Sequence, residues 1–205
     1  LVLKAMNGEI DYQDRHIGTF NNKAIFFDNM EQGGYTLTNR VNADSNVMEI
    51  SLNLTHLDPV KNEIFNNKDF RIGLSHAINR QEIIDTVFVG QGIPYQGAPK
   101  PPSEYYNEEL ATQYTEYDVD LANEILDGIY PEKDGNGVRL GSDGEPIRFD
   151  MLVDATRFPA WVNVLELVDL YWDEIGIDMS IGGISGELLT ERREANDYDA
   201  TANFS

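Results

Sequence analysis

The strongest constraint on the fold lies in residues 116–205, where strand and helix periodicities alternate. Ile147, Phe149, Met151 and Val153 are apolar at every second position, the pattern of a strand with one buried face. Pro159 stands where the first turn of a helix tolerates it. Trp161, Val164, Leu165, Val168, Trp172 and Ile175 follow at helical spacing, up to a stop at Gly176. Ile177, Met179 and Ile181 form a further strand, Ser185 caps a helix ending near Ala195, and Tyr198 to Phe204 reads as a third strand. The order strand–helix–strand–helix–strand predicts right-handed crossovers and a largely parallel sheet. Such sheets bind ligands beyond the carboxyl ends of their strands, which puts Asp154 to Trp161 and the residues after Phe204 at the functional edge.

Upstream the pattern is looser. Residues 1–46 are polar, with a helix end at Leu1 to Met6 stopped by Gly8. Asn22 is expected to cap a helix running through Glu31 to Gly33-Gly34, and Tyr35 to Val41 is expected as a short strand. Val47 to Asn53 predicts a strand with Met48, Ile50 and Leu52 on one face. A helix with Phe70, Leu74, Ala77 and Ile78 follows. Asn79-x-x-Glu82 then approximates a capping box for a second helix, striped by Ile83, Ile84, Val87 and Phe88 and ended by Gly90. Four prolines between Gly92 and Pro102 require an ordered loop. Asp118 caps a short helix carrying Val119, Ala122, Ile125 and Leu126, which stops at Gly128. No internal repeat or low-complexity tract interrupts this order.

Charge narrows the partners. Fifteen Lys and Arg against 36 Asp and Glu give a formal charge of −21. The chain has no basic cluster of the kind a nucleic-acid binder displays, and it would be repelled by an anionic membrane surface. The acids are scattered, which reads as a dispersed, self-repelling surface. Cysteine is absent, so disulfide and thiolate chemistry are excluded. No apolar run approaches the ~20 residues of a membrane-spanning helix. The chain opens at Leu1 without an initiator Met and closes at Asn203-Phe204-Ser205 inside a strand-like run. It is therefore read as a piece of a longer protein, which a signal peptide would precede.

Motifs of catalysis are weak. His16, His56 and His76 are not paired at metal-ligand spacing, and each reads as structural or surface. Asp134-Gly135-Asn136 to Glu145 has the outline of a calcium loop, but Val138 and Arg139 stand at its fifth and sixth positions, so it reads as a turn or hairpin tip. There is no dinucleotide fingerprint, phosphate loop or nucleophile elbow. Asn53-Leu54-Thr55 matches a glycosylation sequon, a short pattern common by chance. Trp161 lies in the first turn of its helix and reads either as core or as cleft wall; Trp172 reads as core. Tyr95, Tyr105 and Tyr106 either line a pocket or pack the proline-rich loop.

Several segments, in order, resemble the peptide/nickel-type family 5 extracellular solute-binding proteins of bacterial ABC importers. Met6-Asn7-Gly8-Glu9-Ile10-Asp11 is similar to their Gly-Glu-Ile-Asp segment. Ile50-Ser51-Leu52-Asn53 is similar to the strand re-entering the second lobe. Phe70-Arg71-Ile72-Gly73-Leu74-Ser75-His76-Ala77-Ile78-Asn79-Arg80 resembles the family's most recognisable stretch, continued by Glu82-Ile83-Ile84 and Gly90-Gln91-Gly92. Tyr117-Asp118 resembles the Tyr-Asp-Pro helix entry, Trp172-Asp173-Glu174-Ile175-Gly176-Ile177 the Trp-x-x-Ile-Gly-Ile turn, and Asn196-Asp197-Tyr198-Asp199-Ala200 the strand leading to the ligand-contacting segment. Departures are Gly73 for Ala, Ile72 for a polar residue and Val119 for Pro. Ala202 stands where peptide binders carry an Arg that meets a peptide carboxylate.

The resemblance implies an α/β fold: a type II periplasmic-binding-protein-like lobe, with a mixed, mostly parallel sheet flanked by helices. Residues 1–46 would be a strip of the first lobe, and residues 47–205 the second lobe, truncated at its C-terminal end, with the hinge near Asn53. The implied function is the capture of a peptide-like or other small solute between two lobes for delivery to an ABC permease, in the periplasm or outside the cell on a lipid anchor. The expected state is a monomer without catalysis, cofactor, metal or nucleic acid. Expected ligand contacts are Asn53, Thr156, Arg157, Trp161, Asn203, Phe204 and Ser205, with Arg157 meeting an anionic ligand group. The rivals are a solute-sensing receptor of the same fold and an α/β enzyme using paired carboxylates.

Overall fold

The computed structural model describes residues 1–13, 17–38 and 44–204. The chain divides into two compact units, Leu1–Asn42 and Ala43–Ser205. Among its described residues the smaller holds three short helices, α1 (Val2–Met6), α2 (Phe20–Asp28) and α3 (Met30–Gly33). Gly8, at φ 71°, lies where any side chain would strike the carbonyl of Gly33, which lets α1 and α3 meet. Two expectations fail in this unit. Thr19, not Asn22, occupies the N-cap of α2, because the Asn22 amide donates to the carbonyl of Ile17 at 3.1 Å instead. Residues 35–38 form no strand, since Tyr35 turns back onto α2. Its hydroxyl donates to the carbonyl of Phe26 and its ring meets that of Phe26 edge-on. Residues 39–41 of the expected strand, and His16, lie outside the described residues.

The larger unit is built on four strands: β1 (Glu49–Leu52), β2 (Arg148–Asp154), β3 (Asp178–Ile184) and β4 (Ala200–Asn203), in the order β1-β4-β2-β3. β2 pairs in parallel with β3 on one side and β4 on the other, while β1 runs antiparallel to β4 with Glu49 opposite Asn203. The sheet is mixed and mostly parallel; the periodicity predicts its parallel part and the family resemblance its mixed character. Its helices are α4 (Pro59–Asn66), α5 (Lys68–His76), α6 (Arg80–Thr86), α7 (Glu108–Thr112), α8 (Val119–Asp127), α9 (Pro159–Glu174) and α10 (Gly186–Glu194). α4 and α7 add to the elements expected from periodicity. Each is short, although Asp58-Pro59 is a helix-start signal, and the Asp58 carboxylate accepts from the Val60 and Lys61 N–H groups. The caps expected at Asn79, Asp118 and Ser185 all form. No helix among the described residues is long and apolar enough to cross a membrane.

Core packing follows the strand alternation. Phe149, Met151 and Val153 point to one face of β2 and meet α9 through Trp161, Val164, Leu165, Val168 and Trp172. Phe65 packs edge-on against Phe149, and Trp172 lies 5.8 Å from Phe149 while its indole N–H donates to the carbonyl of Leu74. Full burial of each such side chain contributes roughly 1.5–3 kcal/mol or more. On the other face Leu152 lies over Gly182, its direct partner across the β2–β3 pair, and α10 contacts β2 there. The expected hairpin at Asp134 to Gly144 is present: the Asp134 carboxylate accepts from the Asn136 and Val138 N–H groups, and Lys133 bridges Arg139.

Arg139 ties three elements together while fully buried. Its guanidinium donates to the carbonyls of Ile175 and Tyr130, to the Asn123 amide oxygen and to the Asp127 carboxylate, the last at 2.6 Å. Gly176, at φ 77°, allows the hairpin to close over it, since a Cβ there would lie 2.6 Å from the carbonyl of Gly137. Arg139→Ala leaves two buried carbonyls unpaired, so urea denaturation should report a loss of about 3 kcal/mol; a loss under about 1 kcal/mol would contradict this role.

Candidate functional site

The carboxyl ends of β2, β3 and β4 fall on one edge of the sheet. β2 lies between β3 and β4, so the chain leaves it in one lateral direction and returns past it in the other, the topology at which ligand crevices form at strand ends. The turn after β2 is organised by Asp154. Its Oδ1 accepts from the Thr156 hydroxyl at 2.7 Å and from the Arg157 N–H at 3.0 Å, and the Asp154 carbonyl accepts from the Phe158 N–H. A Cβ at Gly186, the first residue of α10, would lie 2.5 Å from Asp154 Oδ2, so glycine there admits the carboxylate to the helix start. Burial acts to raise the Asp154 pKa, but the hydrogen bonds from Thr156 and Arg157 outweigh it and hold the carboxyl below its ordinary value.

Beyond this turn stands an aromatic trio. Phe158 stacks on Trp161 with centroids 4.0 Å apart, and Phe204, the first residue past β4, meets both rings edge-on at 4.8 and 4.9 Å. The Arg157 guanidinium lies over Phe158 at 4.8 Å and over Phe204 at 5.8 Å. Phe158 is the addition that periodicity did not single out; its signal is its place just before Pro159, at the N-cap of α9.

Of the expected contacts, Thr156, Arg157, Trp161 and Phe204 converge here. Thr156 serves the turn through its hydroxyl. Trp161 is only 4% exposed and backs the trio from the core, whereas Phe204 is 46% exposed. Asn203 ends the same strand, but its side chain lies on the α10 face, donating to the Thr201 hydroxyl and accepting from Arg193 at 3.1 Å. Ser205 lies outside the described residues.

Asn53 does not join them. β1 is antiparallel, so it starts at the carboxyl edge and carries Asn53 to the opposite edge, where the residue is 1% exposed. Its amide donates to Asn196 and to the carbonyl of Tyr198, and its oxygen accepts from Thr55. Nearby, the Asp199 carboxylate accepts from Lys61, from the Asp150 N–H and from His56 Nε2; His56 Nδ1 accepts from the Asp58 N–H, which leaves the ring proton on Nε2. Asn53 and His56 thus fasten the far end of the sheet and are out of reach of the crevice.

A concavity of about 1080 Å³ runs beside β1, between α5, α6 and the proline-rich loop, floored by Leu74, Val168 and Trp172. Tyr95 and Tyr106 line it. Tyr95 also fastens the loop by donating to the carbonyl of Pro99, and Tyr105 is exposed. Burial there pulls the Arg80 guanidinium down to about 10, with Glu116 acting in the opposite sense. This groove follows an edge strand, not the strand ends, and its floor is the hydrophobic core.

With this geometry in view, the comparisons are specific. The profile of the family described as "Bacterial extracellular solute-binding proteins, family 5 Middle" matches residues 2–203. The chain belongs to that family. This family 5 chain is 37% identical to an oligopeptide-binding protein OppA of known structure, with a TM-score of 0.79 over 99% of this chain and 32% of that one. It is 23% identical over 180 residues to the oligopeptide-binding protein AppA of Bacillus subtilis, covering 87% of this chain and 33% of that relative. It also shares its fold, at 14% identity and a TM-score of 0.74 over 100% of this chain and 32% of that one, with the periplasmic binding protein MelB of Agrobacterium fabrum, solved with stachyose. The larger unit is the periplasmic-binding-protein type of α/β lobe. The chain spans about a third of the length of these relatives.

The depressed Asp154 pKa has a consequence for stability. A carboxyl whose folded pKa lies below its unfolded value of about 3.9 stabilises the fold above that pH and loses this contribution as pH falls through the folded value. The urea-stability difference between wild type and Asp154→Asn should therefore be flat above about pH 5 and shrink below about pH 4. A difference that stays constant or grows on acidification would contradict the account.

Proposed function

We propose that this chain supplies ligand-facing structure to the solute receptor of a bacterial ABC importer, and that the solute is an oligopeptide. The observation that carries the reading is the family match over residues 2–203, together with 37% identity to an oligopeptide-binding protein. Residues 1–46 are read as part of a first lobe and residues 47–205 as the second. The carboxyl edge bearing Arg157, Phe158 and Phe204 is read as a ligand-facing wall. Ligand contacts to both lobes would favour the closed form, because a ligand shifts an equilibrium only through its differential affinity for the two states. The closed receptor would deliver its cargo to a membrane permease from outside the cytoplasm, as a monomer.

Binding of this kind asks for a concave wall with aromatic surface and a few fixed polar groups, not for an activated nucleophile or a paired acid and base. The edge has the first two. A peptide is favoured over an oligosaccharide by the 37% identity to an oligopeptide-binding protein, against 14% to the neighbour solved with stachyose.

The test is calorimetry on the receptor containing this chain, titrated with mixed oligopeptides of three to eight residues and, separately, with manno- and galacto-oligosaccharides. Peptide binding at micromolar Kd or tighter is expected, with no heat from the sugars. The isolated chain should bind the same peptides more weakly or undetectably, lacking the opposing wall. Sugar binding without peptide binding would overturn the ligand class, and tight binding by the isolated chain would overturn the two-wall account.

A further inference from the structure

We infer that His56 is a proton-sensitive latch at the amino end of the sheet: proton uptake by its ring releases the start of α4 while the rest of the larger unit stays folded. The latch lies at the end opposite the candidate site and does not depend on which ligand is bound. A receptor read as working outside the cytoplasm meets the pH of its surroundings, so a latch of this kind would be exercised in use.

The neutral ring is engaged at both nitrogens. Nε2 donates to Asp199 Oδ1 at 2.8 Å, and Nδ1 accepts from the Asp58 N–H at 2.9 Å. The ring is seated edge-on against Phe65, a core residue of α4, with centroids 6.0 Å apart. Turning the ring would give up both hydrogen bonds.

Protonation changes one of these contacts in kind. An imidazolium carries a proton on each nitrogen and is a donor only. At Nε2 the bond to Asp199 persists and becomes charge-assisted. At Nδ1 a second donor is created where the Asp58 N–H already points, so that bond is lost. Asp58 is the N-cap of α4, and its Oδ1 accepts from the Val60 N–H at 2.8 Å and the Lys61 N–H at 3.1 Å. A shift of the Asp58 backbone therefore reaches the cap and the first turn, where N–H groups have no partner within the helix.

The surrounding charges keep the effect local. Asp199 also accepts from Lys61 Nζ at 2.6 Å and from the Asp150 N–H at 2.9 Å. Asp150 of β2, Arg192 of α10, and Asp197 and Tyr198 of the following turn line a cavity of about 180 Å³ beside His56, with Arg192 directed to Asp197 at 3.8 Å. The carboxylates of Asp58, Asp150, Asp197 and Asp199 thus face two cations, Lys61 and Arg192, and a charged ring is balanced where it stands. The Lys61 and Val60 N–H groups, helped by the charges of His56 and Lys61, hold the Asp58 carboxyl below its ordinary value. That carboxyl stays ionised at the pH at which imidazoles titrate and does not itself open the cap.

The test uses the full-length receptor containing this chain, as wild type, His56→Asn and His56→Gln, between about pH 8 and about pH 5, the span over which imidazoles titrate. Histidine Cε1 NMR follows the ring, its signal assigned by its loss in either variant. Hydrogen exchange, taken relative to the unstructured rate at each pH, follows the amides of Asp58, Val60 and Lys61. In the wild type their protection should fall about 5- to 10-fold as the ring titrates, the factor for one hydrogen bond, while β2 and β4 keep theirs. Asn at this position retains an acceptor two residues before the Asp58 N–H, as in an Asx turn. Neither variant takes up a proton, so protection in each should stay level over the same span. Level wild-type protection while the ring titrates, an equal fall in the variants, a fall that extends to β2 and β4, or a ring that stays neutral throughout overturns the inference. None of these outcomes bears on the peptide-receptor reading.

Discussion

Strand β2 is hydrogen-bonded in parallel on both sides, and the larger unit is arranged around that fact. Parallel neighbours cannot be joined by a tight turn, so each connection must cross the sheet through a helix. The chain goes outward from β2 to β3, then back past β2 to β4. Crossovers of one hand in opposite lateral directions need opposite faces, which accounts for α9 on the side of Met151 and Val153 and α10 on the side of Leu152. The same reversal brings the loop after β2, the start of α10 and the end of β4 to one crevice. The candidate site is therefore a by-product of how the core is closed.

The two ends of the sheet have been given different tasks. At the amino ends, Asn53, Asn196, His56, Lys61 and Asp199 satisfy one another, so polar groups are buried there with their partners already in place. At the carboxyl ends, donors and rings are positioned but left incomplete. Asp154 and Thr156 complete a turn, and the Arg157 guanidinium that this turn carries lies over the rings of Phe158 and Phe204. A closed network stabilises a fold.

Much of this was readable because local and tertiary signals agree. The stripe from Trp161 to Ile175, the alternation from Ile147 to Val153 and the caps at Asn79, Asp118 and Ser185 each have one low-energy outcome, and the structure adopts it. Where the reading failed, a side chain had two uses. Asn22 was available as a cap or as a donor to a loop, and Asn53 as a ligand contact or as a fastening. Nothing in either residue's neighbours along the chain distinguishes these uses.

By itself the sequence determined most element types of the larger unit, the parallel character of the sheet and the family, because periodicity, capping and motif order are properties of residues near one another in the chain. Only the tertiary structure decided which end of the sheet each residue reaches. The direction of β1 relative to β4 removed Asn53 from the crevice, and the packing of Phe158 and Phe204 around Trp161 turned an expected cleft tryptophan into the backing of a surface that Arg157 covers. Strand direction and ring contact are set by residues more than a hundred positions apart for β1 and β4, and some forty apart for Trp161 and Phe204. Short-range patterns carry no record of either.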